Sequence, residues 1–163
     1  MSKKQSLLAL ALNLVLVAAV SGLSVLLSVD GMDRYPNLVR PPFSPPGIVF
    51  PVVWTILFIL MAVSAWMILR SLTEVFSIKG ALYSPSLLLY FVQLIVNLLW
   101  PVLFFRLSLY LPALLWLVLL IVLVVQMIRS FYRVNKTAAL LQIPYLLWLV
   151  FAGYLNLGVW LLN

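Results

Sequence analysis

Gln93 and Asn97 stand four residues apart in the stretch QLIVNLLW, so a helix places both amides on one face. Amides donate and accept hydrogen bonds, which suits recognition and helix-to-helix contact but not proton transfer. Little else in the chain could do chemistry. Cysteine and histidine are both absent, which excludes a disulfide framework, a thiolate nucleophile, a Cys/His metal site and an imidazole base. Only three carboxylates occur, Asp30, Asp33 and Glu74, and all three read as loop residues. Acid–base catalysis therefore has almost no parts to work with. A proton-driven pump would need an ionisable group inside the membrane, and none is expected there. The single amides Asn13 and Gln126 read as glue between helices, each worth about 0.6–2 kcal/mol. For the Gln93/Asn97 pair, glue and ligand contact are equally good readings.

The six tryptophans sort by depth. Trp66, Trp100 and Trp160 lie near the ends of apolar runs, where an interfacial aromatic belt accounts for them. Trp54, Trp116 and Trp148 lie deeper, where a belt does not reach. Trp116 sits in the aliphatic run LPALLWLVLLIVLVV and reads as a packing or lipid-facing residue.

These side chains need elements to hold them. Of 163 residues 66% are apolar and 8% charged, against about 25% charged in a soluble domain, so lipid must be the solvent. Backbone in lipid must satisfy itself, as helices or a closed barrel. The apolar runs are continuous rather than alternating, which selects an all-α membrane bundle. Five spans are expected, at about 6–28, 46–69, 84–105, 107–128 and 138–163, in a single domain with a proline-rich lid loop at 29–45. Each is long enough to cross a hydrocarbon core of about 30 Å. The first run competes with a signal peptide, but it exceeds the usual 7–15 apolar residues and reads as a retained helix.

Ser44-Pro45 and Ser84-Pro85 each offer a hydroxyl cap followed by a proline at the first helical position. Pro51, Pro101, Pro112 and Pro144 fall inside the spans and are expected to bend them or to open the backbone ladder locally. Seven of the ten lysines and arginines fall on the side of the N-terminus, and Arg34, Arg40 and Arg106 on the other. That bias puts the N-terminus in the cytoplasm and the first loop and C-terminus outside. The net charge of +7 then belongs to cytoplasmic loops and not to a nucleic-acid surface.

Depth brings separate spans together. Trp54 and Asn97 each lie about 12 Å below the outer end of their span, and Asn156 about 10 Å below its own. Tyr145, Trp148, Ala152 and Asn156 form one stripe on the fifth span. Trp54, Phe58, Asn97, Ala152 and Asn156 could thus surround one cavity beneath the first loop. Amides and aromatics without charge suit a flat or bulky apolar ligand.

The stretch YPNLVRPPFSPPGIVFPVVWTILFILMAVSAW resembles the signature of the translocator protein family, also called tryptophan-rich sensory proteins or TspO/MBR. QLIVNLLWPVLFF is similar to its third helix and IPYLLWLVFAGYLNLGVW to its fifth. The resemblance implies a five-helix membrane bundle, often dimeric, that binds porphyrins, with sterols and synthetic ligands in animal members. It implies ligand contacts at Tyr35, Pro45, Trp54, Gln93, Asn97, Trp100, Trp148 and Ala152. It departs from the family at Arg34, in place of a tryptophan, at Phe58, in place of a tyrosine, and at Trp116, in place of a small or acidic residue. Leu157 and Leu161 leave the animal sterol motif unmatched.

The expected function is a membrane-embedded binding protein for porphyrins and similar flat ligands, acting as sensor or carrier. The alternatives are a small membrane enzyme that promotes light-dependent porphyrin breakdown, and an assembly factor whose aromatics merely pack. No cofactor or metal is expected, and the resemblance allows a homodimer. The prolines around Arg40 would make a stiff lid that loses little entropy on ordering. Phe43 and Tyr35 are expected to point down from it, with Arg34 and Arg40 placed to pair with porphyrin propionates.

Overall fold

A computed structural model describes residues 1–163. The chain is helical throughout: α1 Lys3–Met32, α2 Val49–Leu72, α3 Ile78–Leu82, α4 Pro85–Pro101, α5 Tyr110–Val134, α6 Lys136–Leu140 and α7 Ile143–Leu162. A π-helical turn, Val102–Arg106, continues α4, and a short 3-10 helix, Tyr35–Asn37, lies in the first loop. Five of these units are long and apolar enough to cross a membrane: α1, α2, α4 with its π turn, α5, and α6 with α7.

Sequence punctuation accounts for several boundaries. Ser84 accepts from the Leu87 amide and Pro85 opens α4, as expected. Asn135 caps α6 in the same way, through the Ala138 amide. The Ser44 cap does not form. Its hydroxyl donates instead to the Pro41 carbonyl at 2.7 Å, and α2 starts only at Val49. Pro46 and Gly47 instead lie in the turn that leads into the helix.

Pro51 and Pro112 fall in the first turn of α2 and α5, where backbone N–H groups have no helical partner to lose. Pro144 opens α7 inside the fifth span, just after the ladder breaks at Leu141–Gln142 between α6 and α7, as expected. Pro101 disturbs the far end of its own helix. It sits at the end of α4, and the ladder widens after it into the π turn, with the Leu107 amide bonded to the Val102 carbonyl. Asp30 and Asp33 also shift: Asp30 lies on the last turn of α1, 4.0 Å from Arg106, and Asp33 caps that helix.

The two halves of the bundle pack differently. Near the N-terminal side the interior is filled by residues such as Met61, Ile68, Val124, Met127 and Phe131, all fully buried. Buried polar ties cross this half. Asn13 donates to the Ala62 carbonyl at 2.7 Å and accepts from the Tyr90 hydroxyl at 2.9 Å, joining α1, α2 and α4. Ser64 holds the Ala138 carbonyl at 2.7 Å. Asn13 is thus glue, as read. Gln126 is not: its side chain is exposed on α5 and pairs with nothing in the chain.

Close approach also falls elsewhere than at Ala18 and Gly22, the small pair that would ordinarily permit it. Both are exposed, and a Cβ on Gly22 would meet nothing within 4 Å. Gly31 is the tight point, since a Cβ there would overlap the Phe105 carbonyl. The absence of a side chain at Gly31 lets α1 rest its backbone on the π turn.

Candidate ligand-binding cavity

The other half of the bundle is hollow. A cavity of about 290 Å³ lies between the ends of α1, α2, α4 and α7 that adjoin the first loop. The residues that build it follow from helical spacing. On α2, Phe50, Trp54 and Phe58 recur every four residues and present one aromatic face. On α7, Trp148, Ala152 and Asn156 recur in the same way. Asn97 and Trp100 come from α4, and Tyr35 closes the top from the 3-10 turn.

The rings hold one another at aromatic contact distances. Trp54 lies 5.5 Å from Phe58, Phe50 meets Trp148 edge-on at 5.9 Å, and Tyr35 meets Phe50 and Phe105 at 6.1 and 5.8 Å. Such pairs are worth about 0.5–1.5 kcal/mol each beyond the area they bury, which stiffens the wall.

The amides at the wall are already engaged. Trp100 donates to the Asn156 side-chain oxygen Oδ1 at 3.2 Å, and the Asn156 side-chain N–H donates to the Tyr110 backbone carbonyl at 2.8 Å. Asn97 donates to the Tyr145 hydroxyl at 2.7 Å, which in turn donates to Gln93 at 2.9 Å. The Gln93 amide rests 3.7 Å from the Met61 sulfur. Gln93 and Asn97 therefore clamp one phenol between α4 and α7. The indole N–H of Trp148 is buried without a partner. No charged side chain lines the wall.

Eight of the expected contact residues line this cavity: Tyr35, Trp54, Phe58, Asn97, Trp100, Trp148, Ala152 and Asn156. Trp100 faces inward and is not a belt residue. Tyr145 and Gln93 are fully buried and form the layer beneath the floor, Tyr145 with its ring 6.1 Å from Trp54. Pro45 is half-buried in the loop but not on the wall. Trp116 packs, donating to the Val96 carbonyl at 2.8 Å.

The lid differs from expectation at Phe43. Its φ of 63° is left-handed, and the ring is turned away from the bundle and 88% exposed. The lid residue that goes in is Pro41, seated on Gly158, where any side chain would collide with it. The lid is also latched to the end of α7. Asn163 pairs with both the amide and the carbonyl of Val39 at 3.0 Å, and Tyr154 donates to the Pro42 carbonyl at 2.9 Å. Arg40 lies 5.9 Å from the Tyr35 ring, and Arg34 reaches the Ser108 hydroxyl at 3.4 Å. Burial raises the Tyr35 phenol above its ordinary pKa, and the Arg40 charge partly opposes this.

Spacing did not point to α1, which contributes Ser21, Ser24 and Val25 to the wall. Two hydroxyls three residues apart in an aliphatic helix were the available signal. Val25 is 49% exposed at the outer surface, and Gly47 and Pro51 opposite it are exposed too. The cavity thus reaches the surface between α1 and the start of α2. Phe105 was out of reach of spacing arguments because the π turn sets its direction.

The sequence also has relatives among known proteins. The TspO/MBR family profile matches residues 9–161. The chain is 36% identical to the tryptophan-rich protein TspO of Chlorobaculum tepidum, over 100% of this chain and 99% of that one. It is 36% identical to protein CrtK of Rhodobacter capsulatus, over 79% and 78% of the two chains. The translocator protein of Bos taurus is 34% identical over 80% of this chain and 75% of its own.

Proposed function

Because the chain belongs to the TspO/MBR family of multi-pass membrane proteins, we propose that it binds porphyrins or similar flat tetrapyrroles in this cavity, as sensor or carrier. The observation that carries the reading is the uncharged aromatic wall: Tyr35, Phe50, Trp54, Trp100, Phe105 and Trp148 around one void. A volume of about 290 Å³ sits at the lower limit of small-molecule sites, which run roughly 300–1,000 Å³. A macrocycle would therefore enter edge-first between the rings, with its remainder in the opening between α1 and α2. Spent amides favour this ligand class, since an apolar plane asks for no hydrogen bonds. The propionates of a porphyrin would stay at the rim, where Arg40 sits one ring away from the cavity.

In this reading the N-terminus, α3 and α6 face the cytoplasm and the latched lid faces outward. A second protomer, if present, would meet the outward face of α1 that carries Ala18 and Gly22.

Titration of the purified protein with protoporphyrin IX tests the proposal, read by quenching of tryptophan fluorescence. Saturable quenching at one site per chain is expected. No quenching, or quenching that grows linearly without saturation, would leave the aromatics as packing alone. Product analysis of the same complex in light and in darkness separates binding from breakdown: unchanged porphyrin in both is the result for a sensor or carrier.

A further inference from the structure

A second cleft, of about 470 Å³, opens at the opposite end of the bundle from the aromatic cavity. It lies where α2 ends, α3 crosses, α4 begins and α5 ends, so it sits at the level of the membrane surface. Its walls are of two kinds. Leu72, Phe76 and Val134 are apolar, whereas Ser86, Ser130 and Arg133 are polar and come from α4 and α5.

Three features of the polar wall point to a ligand. The Ser86 and Ser130 hydroxyls lie 2.8 Å apart. Whichever donates, the O–H of the other is left over at the cleft wall, where Ser86 is buried and Ser130 half-buried. Arg133 takes part in no ion pair, since the chain's single salt bridge is between Arg106 and Asp30. Its surroundings are also one-sided in charge. This end of the molecule carries Lys3, Lys4, Arg70, Lys79, Arg129, Arg133 and Lys136 against the single carboxylate Glu74.

We propose that this cleft binds the phosphate headgroup of an anionic phospholipid, with the Arg133 guanidinium and the spare serine hydroxyl as donors to the phosphate oxygens. Guanidinium and hydroxyl are both donors at a phosphate oxygen, and the charged pair makes the shorter and stronger bond. Basic clefts between helices at the membrane surface suit such headgroups, and a cation that lines the cleft itself, as Arg133 does, contributes about a fivefold gain in affinity. The apolar wall decides between a lipid and free phosphate. Leu72, Phe76 and Val134 offer contact to glycerol and upper acyl carbons, which inorganic phosphate does not have. The site lies apart from the aromatic cavity and is independent of what binds there.

Native mass spectrometry of the delipidated full-length protein tests this, with dioleoyl phosphatidylglycerol and dioleoyl phosphatidylcholine as probes. The wild type is expected to retain one phosphatidylglycerol in preference to phosphatidylcholine. Arg133→Gln should weaken that retention about fivefold, and Arg133→Lys less. Lys3→Gln with Lys4→Gln, on the same face but outside the cleft, should leave it within twofold. Ser86→Ala with Ser130→Ala should weaken it as well, but those residues tie two helices, so Arg133, which is exposed, is the deciding position. Equal retention of the two lipids, or an Arg133→Gln variant indistinguishable from the lysine control, would overturn the proposal. In a parallel arm, inorganic phosphate at millimolar concentration should not displace the lipid, and full displacement would overturn the assignment to a lipid.

Discussion

Tyr145 shows how the candidate site is held at the level of single atoms. Its hydroxyl accepts from Asn97 and donates to Gln93, so one oxygen satisfies two buried amides directly beneath the cavity. Tyr145→Phe keeps the ring and leaves both amides short of a partner in a place water does not reach. A loss of about 1–3 kcal/mol is expected, seen as a lower thermal midpoint in detergent. Arg40 makes a different kind of claim. If propionates lie at the rim, Arg40→Gln should lower affinity for the dicarboxylate porphyrin by up to about fivefold and leave the dimethyl ester unaffected, with the difference shrinking in salt. An equal effect on both ligands would place the propionates elsewhere. At this scale the sequence was informative where spacing alone decides direction. Trp54, Phe58, Asn97, Trp148, Ala152 and Asn156 share a depth and lie on regular helices, so their convergence could be read. Phe43 could not be placed, because one left-handed φ in an irregular loop reverses a side chain and nothing local announces it.

Elements decide which residues can meet. The five spans were legible because lipid leaves the backbone few choices, and the caps at Ser84 and the charge bias mark their ends. The consequences of proline were harder to read. Pro51 and Pro112 each lie within a turn of a helix start, and a shift of a few residues in the boundary changes a kink into a neutral position. Pro101 sits at the other end of its helix, where the ladder widens into the π turn that aims Phe105 into the cavity. Glycine has the same property of needing a neighbour to be understood. Gly31→Ala should cost about 1–3 kcal/mol by pressing α1 off the Phe105 carbonyl. Gly22→Ala, in open space, should be neutral or stabilising by up to about 1 kcal/mol. Thermal unfolding of the two variants in the same detergent checks the pair, and a larger loss at Gly22 would contradict the packing described for α1.

The whole molecule divides into a filled half and a hollow half, with a cavity under a latched lid at one end and a basic cleft at the other. Its orientation is tested by single cysteines in this cysteine-free chain. Lys3 and Phe43 are both exposed, and cysteines in their place should label with an impermeant reagent from opposite sides, Phe43→Cys from the non-cytoplasmic side. Labelling of both from one side would contradict the five-span path. The central claim, that the aromatic wall is a binding surface, is tested most directly by the porphyrin affinities of three tryptophan variants. Trp54 and Trp148 line the cavity, whereas Trp116 packs on α4 through the Val96 carbonyl. Leucine in place of either cavity tryptophan removes a stacking plane but leaves the wall apolar, so protoporphyrin IX affinity should fall by several-fold to about tenfold. Trp116→Leu should leave that affinity within twofold of wild type. If all three variants are folded and Trp116→Leu weakens binding as much as the other two, the ligand does not sit between Trp54 and Trp148.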